Sequence, residues 1–467
     1  MVPALRKIPS VLTDLHATVT ACQNVIFAEI PEKLRNLGKP VVIDPDGRIL
    51  EPVSLMKAND TVMGAVRRAT EADGTAAAEL RKLTAEAQGF AQTADDQRRT
   101  WESMQTVPAA GAPPGDVKRW WDGLTDRQRE TLLFLRTEQI GSLDGVPVEW
   151  RDRANRMQLP GEMERIREDI ARMTEQQATR NTHGSMAGVP FIKQEEIEKL
   201  KQKLAGLEAV LSRLNKPVDP TAPQAHLLKI STDGAGKAIV AMGNPDTATN
   251  VATFVPGTGA GLNLIGTDMN RADKMAEAAS VYGQSPSTAV IAWTGYDAPQ
   301  EIFPGGASKD SYADNARADL DRFQDGLRAT HQGTPSHNTL IGHSYGSTVI
   351  GHAARDGSLA VDNMVFVGSP GVGVDHVRDL HLDGVPPDQM SQRVHATTAL
   401  HDIIRTTPPG LHSAQPIWQH FGAHVFESNP GTNSVTGFST EAHSEYWNKQ
   451  NRSLENMGRI IAGQPTK

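Results

Sequence analysis

The sequence predicts an α/β fold, a mostly parallel sheet with helices on both faces, preceded by an all-α helical domain. Three observations carry that expectation. The texture of the chain changes near residue 220, from helical periodicity to alternating strand-like and helix-like runs. An apolar run, Thr339-Leu340-Ile341, leads straight into Gly342-His343-Ser344-Tyr345-Gly346, as a buried strand leads into a sharp turn. The 467 residues are 38% hydrophobic and 22% charged, enough to bury a large core in two or three domains.

Up to residue 220 the pattern is helical. Between Pro3 and Leu37 apolar residues recur at helical spacing: Leu12, Leu15, Val19, Cys22, Val25, Ile26. Val41 to Leu50 reads as a hairpin with Asp46-Gly47 at its turn. A segment rich in Ala, Glu, Lys, Arg and Thr, from Leu55 to Met104, is helical again. Pro108 to Gly115 is a linker by composition, subdividing this half near 106–116. Helices are expected over Val117–Leu135, Gly161–Thr174 and Lys193–Leu214. Their charged faces suit a solvated bundle, through which a protein partner or a second copy could dock. Trp120, Trp121 and Trp150 read as core or domain-contact anchors. Asn215 to Pro223, stiffened by three prolines, marks the boundary between domains 1–220 and 221–467.

Beyond the boundary eight strand-like runs appear: His226–Ile230, Ala238–Met242, Val251–Val255, Thr288–Trp293, Thr339–Ile341, Met364–Val367, Val394–Leu400 and Ala423–Phe426. Helical patterns fall at Arg271–Tyr282, Tyr312–His331, Thr348–Arg355 and Val374–Asp379. Antiparallel-looking strands followed by strand–helix alternation argue for a mostly parallel sheet covered on both sides. Ligands in such sheets bind beyond the carboxyl ends of the strands.

Gly342-x-Ser344-x-Gly346 has the form of a nucleophile elbow, a strained strand-to-helix turn that frees a serine hydroxyl. A serine hydroxyl needs a general base, and the base needs a carboxylate to fix its tautomer. In this architecture the chain order is Ser, acid, His. Asp402 follows the seventh strand-like run and precedes a stiff Pro408-Pro409 loop, which makes it the expected acid. A turn or helix cap is the competing reading of Asp402, and capping explains Asp375 and Asp379 better. His443 follows the last strand, whereas His395, His401, His412, His420 and His424 do not, so His443 is the expected base. His343 is expected to pack or orient. Val255-Pro256-Gly257-Thr258-Gly259-Ala260-Gly261 lets backbone N–H groups approach a developing oxyanion. The expected donors are the N–H of Tyr345 with that of Thr258 or Gly259. No Gly-Lys-Ser/Thr follows that loop, so a phosphate cradle is disfavoured.

These residues resemble the α/β-hydrolase superfamily. More narrowly they resemble an actinobacterial family of α/β hydrolases of unknown function, from about Trp120 to the carboxyl terminus. The likeness includes Trp120-Trp121-Asp122-Gly123-Leu124-Thr125, Ile140 to Pro147 and Arg153-Ala154-Asn155-Arg156. The order of signals is also similar to class 3 lipases. The elbow is followed by Gly368-Ser369-Pro370-Gly371-Val372-Gly373, by Asp402-Ile403-Ile404 and by His443-Ser444-Glu445-Tyr446. Tyr345 departs from the pattern, standing where a smaller or aliphatic residue is common. The resemblance implies an α/β-hydrolase fold and carboxylester hydrolysis by Ser344, Asp402 and His443, with no cofactor.

A net charge of −8 argues against a nucleic-acid binder. Cys22, alone, forms no internal disulfide or thiolate metal cluster. The crowded histidines carry no accompanying acidic metal pattern, so no metal is expected. No apolar window of membrane-spanning length and no signal peptide is legible, so the expected location is the cytoplasm and the expected partner a small ester or acyl substrate. Two alternatives remain at this stage: acyl transfer or thioester cleavage on the same residues, or a non-catalytic platform for a protein partner.

Overall fold

The computed structural model describes residues 7–29, 32, 56–89, 102, 106–183, 194–217, 223–285, 287–302 and 305–467. The chain divides into two compact units: Met1–Val107 with Thr125–Glu130, and Pro108–Leu124 with Thr131–Lys467. In the first, α1 (Ile8–Asn24) runs into a π-helical turn, Val25–Glu29. It buries Cys22 and Ile26 against Val62 and Ala65 of α2 (Met56–Gly89). The hairpin expected over 41–50 lies outside the described residues.

The second unit holds an eight-stranded sheet: β1 (Ala225–Ser231), β2 (Lys237–Met242), β3 (Asn250–Val255), β4 (Thr288–Thr294), β5 (His337–His343), β6 (Asn363–Val367), β7 (Val394–Thr397) and β8 (His424–Val425). Their spatial order is β1-β2-β4-β3-β5-β6-β7-β8. β2 is antiparallel to both β1 and β4, and every other pair is parallel. Alternate residues serve opposite faces, as strand geometry requires. Ile239, Ala241, Ile291, Trp293 and Leu340 meet α9 (Ser311–Thr330) and α10 (Tyr345–Asp356) on one side. Ala238, Val240, Phe254, Val290 and Ile341 meet α8 (Ile265–Tyr282) and α11 (Arg452–Ile461) on the other. This is an α/β-hydrolase fold, preceded by a helical region.

Ahead of the sheet come α3 (Pro114–Asp122), α4 (Asp126–Leu135), α5 (Thr137–Ser142), α6 (Val148–His183) and α7 (Gln194–Leu214). α3, α5, α6 and α7 fall in the same compact unit as the sheet. Leu159, Met163 and Ile166 of α6, and Leu207, Val210 and Leu214 of α7, join the same core as α8 and α11. Polar residues of α6 also cover the outer edge of β1. Asp152 accepts the Leu227 N–H at 2.7 Å, and Asn155 Nδ2 donates to the Leu227 carbonyl at 3.0 Å. Arg151 donates to the Leu228 carbonyl at 2.9 Å and Arg156 to that of Ala225 at 2.9 Å. An edge strand left bare would expose those groups. One correction concerns Val374–Asp379, expected as a helix and found as a short 3₁₀ turn, Val377–Asp379. There the His376 ring accepts the Arg378 N–H at 3.0 Å and closes the turn, while the Asp375 carboxylate is drawn to the Ala414 N–H.

Candidate functional site

The elbow is dictated by close backbone approach. Ser344, between β5 and α10, has φ 54° and ψ −128°, a conformation that L-residues rarely hold. A Cβ at Gly342 would lie 2.6 Å from Ser347 Cα, and one at Gly346 would lie 2.2 Å from the Val255 carbonyl oxygen. Only glycine fits either place, which is why the pattern reads Gly-x-Ser-x-Gly. The Ser344 N–H donates to the Val367 carbonyl at 3.0 Å, tying the turn to β6.

Asp402 and His443 meet as expected. His443 Nδ1 lies 2.8 and 2.9 Å from the two Asp402 oxygens. That pairing puts the proton on Nδ1 and leaves Nε2 to accept one. Asp402 is fully buried, and it also accepts the Ile404 N–H at 2.8 Å, which caps the turn that follows. The Tyr446 hydroxyl donates to Asp402 Oδ2 and accepts the Ala399 N–H at 2.9 Å. Burial, and then the Asp402 charge, push the Tyr446 phenol well above its ordinary value, so it remains a donor. Gly368, at φ +54°, makes the space: a Cβ there would sit 2.9 Å from Asp402 Oδ2 and 3.2 Å from the His443 ring.

His343 packs beside His443. Its Nε2–H donates to the His443 carbonyl at 2.8 Å, with the two rings 4.6 Å apart. Burial first, then the neighbouring His443 and Arg271, hold it well below the usual imidazole range, so it is a neutral donor. Ser344 and His443 line one cavity of about 580 Å³; among the described residues no hydrogen bond links the Ser344 hydroxyl to the ring. Such contacts often tighten only when substrate arrives.

Of the expected oxyanion donors, the structure separates two. Gly259, at φ +81°, turns its N–H away to the Pro299 carbonyl at 2.8 Å, which removes it as a donor. Thr258 lines the cavity with Tyr345. The Tyr345 N–H opens α10, where no intrahelical acceptor exists. Tyr296, donating to the Pro256 carbonyl at 2.7 Å, and Gln300, donating to that of Ala260 at 3.0 Å, fix the loop. The bulk of Tyr345 is used as well, since its hydroxyl donates to the Lys309 carbonyl and its ring meets His412 edge-on at 5.5 Å. His412 bonds Asp310 at 2.6 Å and His352 bonds Asp314 at 2.8 Å, which explains part of the histidine crowding.

Most of the cavity wall is apolar, including Pro256, Ala260, Leu264, Ile302, Pro370 and Leu411. Sequence reasoning missed its charged pair, Asp268 and Arg271, one turn apart at the start of α8. Burial pushes the Asp268 carboxyl up to about 7, with the Arg271 guanidinium pulling the other way.

The topology and the elbow define a class, and comparison with known proteins gives the family. A family model described as "Alpha/beta hydrolase" matches residues 232–413. An uncharacterized protein of Mycobacterium tuberculosis is 30% identical over 383 residues, covering 76% of this chain and 56% of its own length. An uncharacterized protein of Mycobacterium bovis is 31% identical over 192 residues, covering 39% of this chain and 69% of its own. The chain belongs to this alpha/beta hydrolase family. It spans 56% of the length of the first curated relatives it matches. Among solved structures, an arylesterase superposes with a TM-score of 0.32 and 12% identity, covering 62% of this chain and 96% of that one. An esterase of Pyrobaculum calidifontis gives 0.34 and 13%, covering 58% and 94%. Esterase LipW from Mycobacterium marinum gives 0.31 and 14%, covering 58% and 91%. Among the described residues no helix is long and apolar enough to cross a membrane.

Proposed function

We propose that this chain hydrolyses carboxylic esters through an acyl-enzyme, with Ser344 as nucleophile, His443 as general base and acid, and Asp402 as the carboxylate that orients it. The observation that carries this reading is the His443 Nδ1–Asp402 pair at 2.8 Å, in a ring that shares one cavity with the strained Ser344. Ser344 Oγ attacks the ester carbonyl while His443 Nε2 takes its proton. Charge gathering on the carbonyl oxygen meets the N–H groups of Tyr345 and Thr258. His443 then gives its proton to the departing alcohol, and the C–O bond of the ester breaks. Water, deprotonated by the same nitrogen, attacks the acyl-serine and releases the acid. Asp402 stabilises the imidazolium throughout, and Tyr446 and His343 act as positioning residues.

A fluorophosphonate probe should label the wild-type chain at Ser344, because only an activated serine reacts. Ser344→Ala should lose labelling and lower turnover of short 4-nitrophenyl esters by about 10⁴-fold or more, with circular dichroism unchanged. Equal turnover in the two chains, or labelling at a different residue, would overturn the assignment. Added alcohol should leave the free acid as the main product; a dominant new ester would make the chain an acyltransferase.

A further inference from the structure

The cavity wall holds one feature that ester hydrolysis does not require. Asp268 is 2% exposed in a largely apolar chamber, and among the described residues its Oδ2 has no hydrogen-bond partner. Among those residues its other oxygen meets only Arg271 Nη1, at a long 3.4 Å. Buried carboxylates are ordinarily saturated with donors, so an unmatched one calls for an explanation. Arg271 is under-used too. The guanidinium lies over the Trp447 ring, 4.5 Å from its centroid, and among the described residues the contact to Asp268 is its one hydrogen bond. Trp447 in turn packs edge-on against His343 at 4.9 Å, beside Ser344. A planar fork of N–H donors is thereby held close to the nucleophile, with donor capacity unspent.

We propose that Arg271, steadied by Asp268 and Trp447, forms a subsite for an anionic group of the substrate, so that the preferred esters carry a carboxylate or a phosphate-type group. The inference rests on the serine-hydrolase reading and specifies its substrate class. Arginine suits both anions because its fork matches two oxygens at once. Apolar walls around it exclude water and strengthen the pairing. Burial that disfavours a charged Asp268 leaves the pair with net positive character, which suits an incoming anion. A neutral acyl chain would instead leave Arg271 without its second partner.

The test compares three esters of equal chain length: 4-nitrophenyl hexanoate, the mono-4-nitrophenyl ester of adipate, and 4-nitrophenyl 6-phosphonohexanoate, each corrected for spontaneous hydrolysis. Wild-type kcat/KM should favour at least one charged ester over hexanoate by about tenfold or more. Which of the two is preferred distinguishes a carboxylate from a phosphate-type ligand. Arg271→Met should lower the charged-to-neutral ratio by about tenfold, and Arg271→Lys should lower it less. Asp268→Asn should raise the ratio at pH 8, where the carboxyl is ionised and competes for Arg271, and leave it unchanged at pH 6, where the carboxyl is already protonated. A merely structural ion pair would give equal losses on all three esters in all three variants. Turnover of hexanoate with no preference for charge, or a ratio unmoved by Arg271→Met, overturns the subsite alone. No turnover of any ester together with no fluorophosphonate labelling overturns the hydrolase reading and the subsite with it.

Discussion

Two buried aspartates stand at the same end of the sheet and differ in almost everything around them. Asp402, beyond β7, is met by the His443 ring, the Tyr446 hydroxyl and the Ile404 N–H. Asp268, on the first turn of α8, has among the described residues one long contact to Arg271 and an oxygen with none. Burial is similar, so burial alone does not decide what a carboxylate does. Donors decide it. A saturated carboxylate is locked in place and can hold another group still. An unsaturated one is held at a cost, and that cost falls only when its surroundings change.

The contrast can be broken from either side. Asp402→Asn should have the largest effect, lowering kcat by about 10³–10⁴-fold, because an amide can stabilise the wrong His443 tautomer. Steady-state kinetics with an intact fold by circular dichroism would check it. Gly368→Ala should come next: a methyl group 2.9 Å from Asp402 Oδ2 must displace the pair. The expected loss is about 10²-fold in kcat, with about 1–2 kcal/mol of stability lost to the positive φ. Tyr446→Phe strips one donor from Asp402 and leaves the Ala399 N–H unmatched, for about 1–3 kcal/mol by urea denaturation.

Asp268 gives the smallest signal, and it appears as a pH dependence. Its folded carboxyl keeps the proton up to about 7, whereas the ordinary value is 3.8. Between those values the native state binds more protons than the unfolded one. Stability from this group therefore falls as pH rises through that window and is level above it. Asp268→Asn removes that slope, so the variant's Tm relative to wild type should climb from about pH 5 to about pH 8. A difference that stays constant with pH would mean the carboxyl is already ionised at the lower value.

Much of this was legible in the sequence because it follows from local rules. All eight strands appear where apolar runs sit between turn residues, and Ser344 was marked by two glycines that no larger residue can replace. Asp402 was readable as cap and as acid, and its carboxylate meets both the Ile404 N–H and the His443 ring. The packing of α6 on the sheet was not legible: an apolar stripe at Leu159, Met163 and Ile166 looks the same whether it faces a helix or a sheet. Nor was Asp268–Arg271, since an acid and a base three residues apart on a helix ordinarily read as a solvated pair. Tyr446 was quoted only as a neighbour of His443, and nothing in its spacing announced a second bond to Asp402. The Arg153-Ala154-Asn155-Arg156 stretch had no visible purpose until Asn155 and Arg156 were found on the backbone of β1.

That clasp has a practical consequence. Cutting the chain back to residues 221–467 would keep every strand and every candidate site residue, yet strip the amides and carbonyls of β1 of their side-chain partners. Such a fragment would offer a ready seam for a second molecule to stitch itself on, and light scattering should find it clumping where the longer chain stays dispersed. The stretch ahead of the sheet thus serves as its selvedge, the finished border that keeps the weave from running.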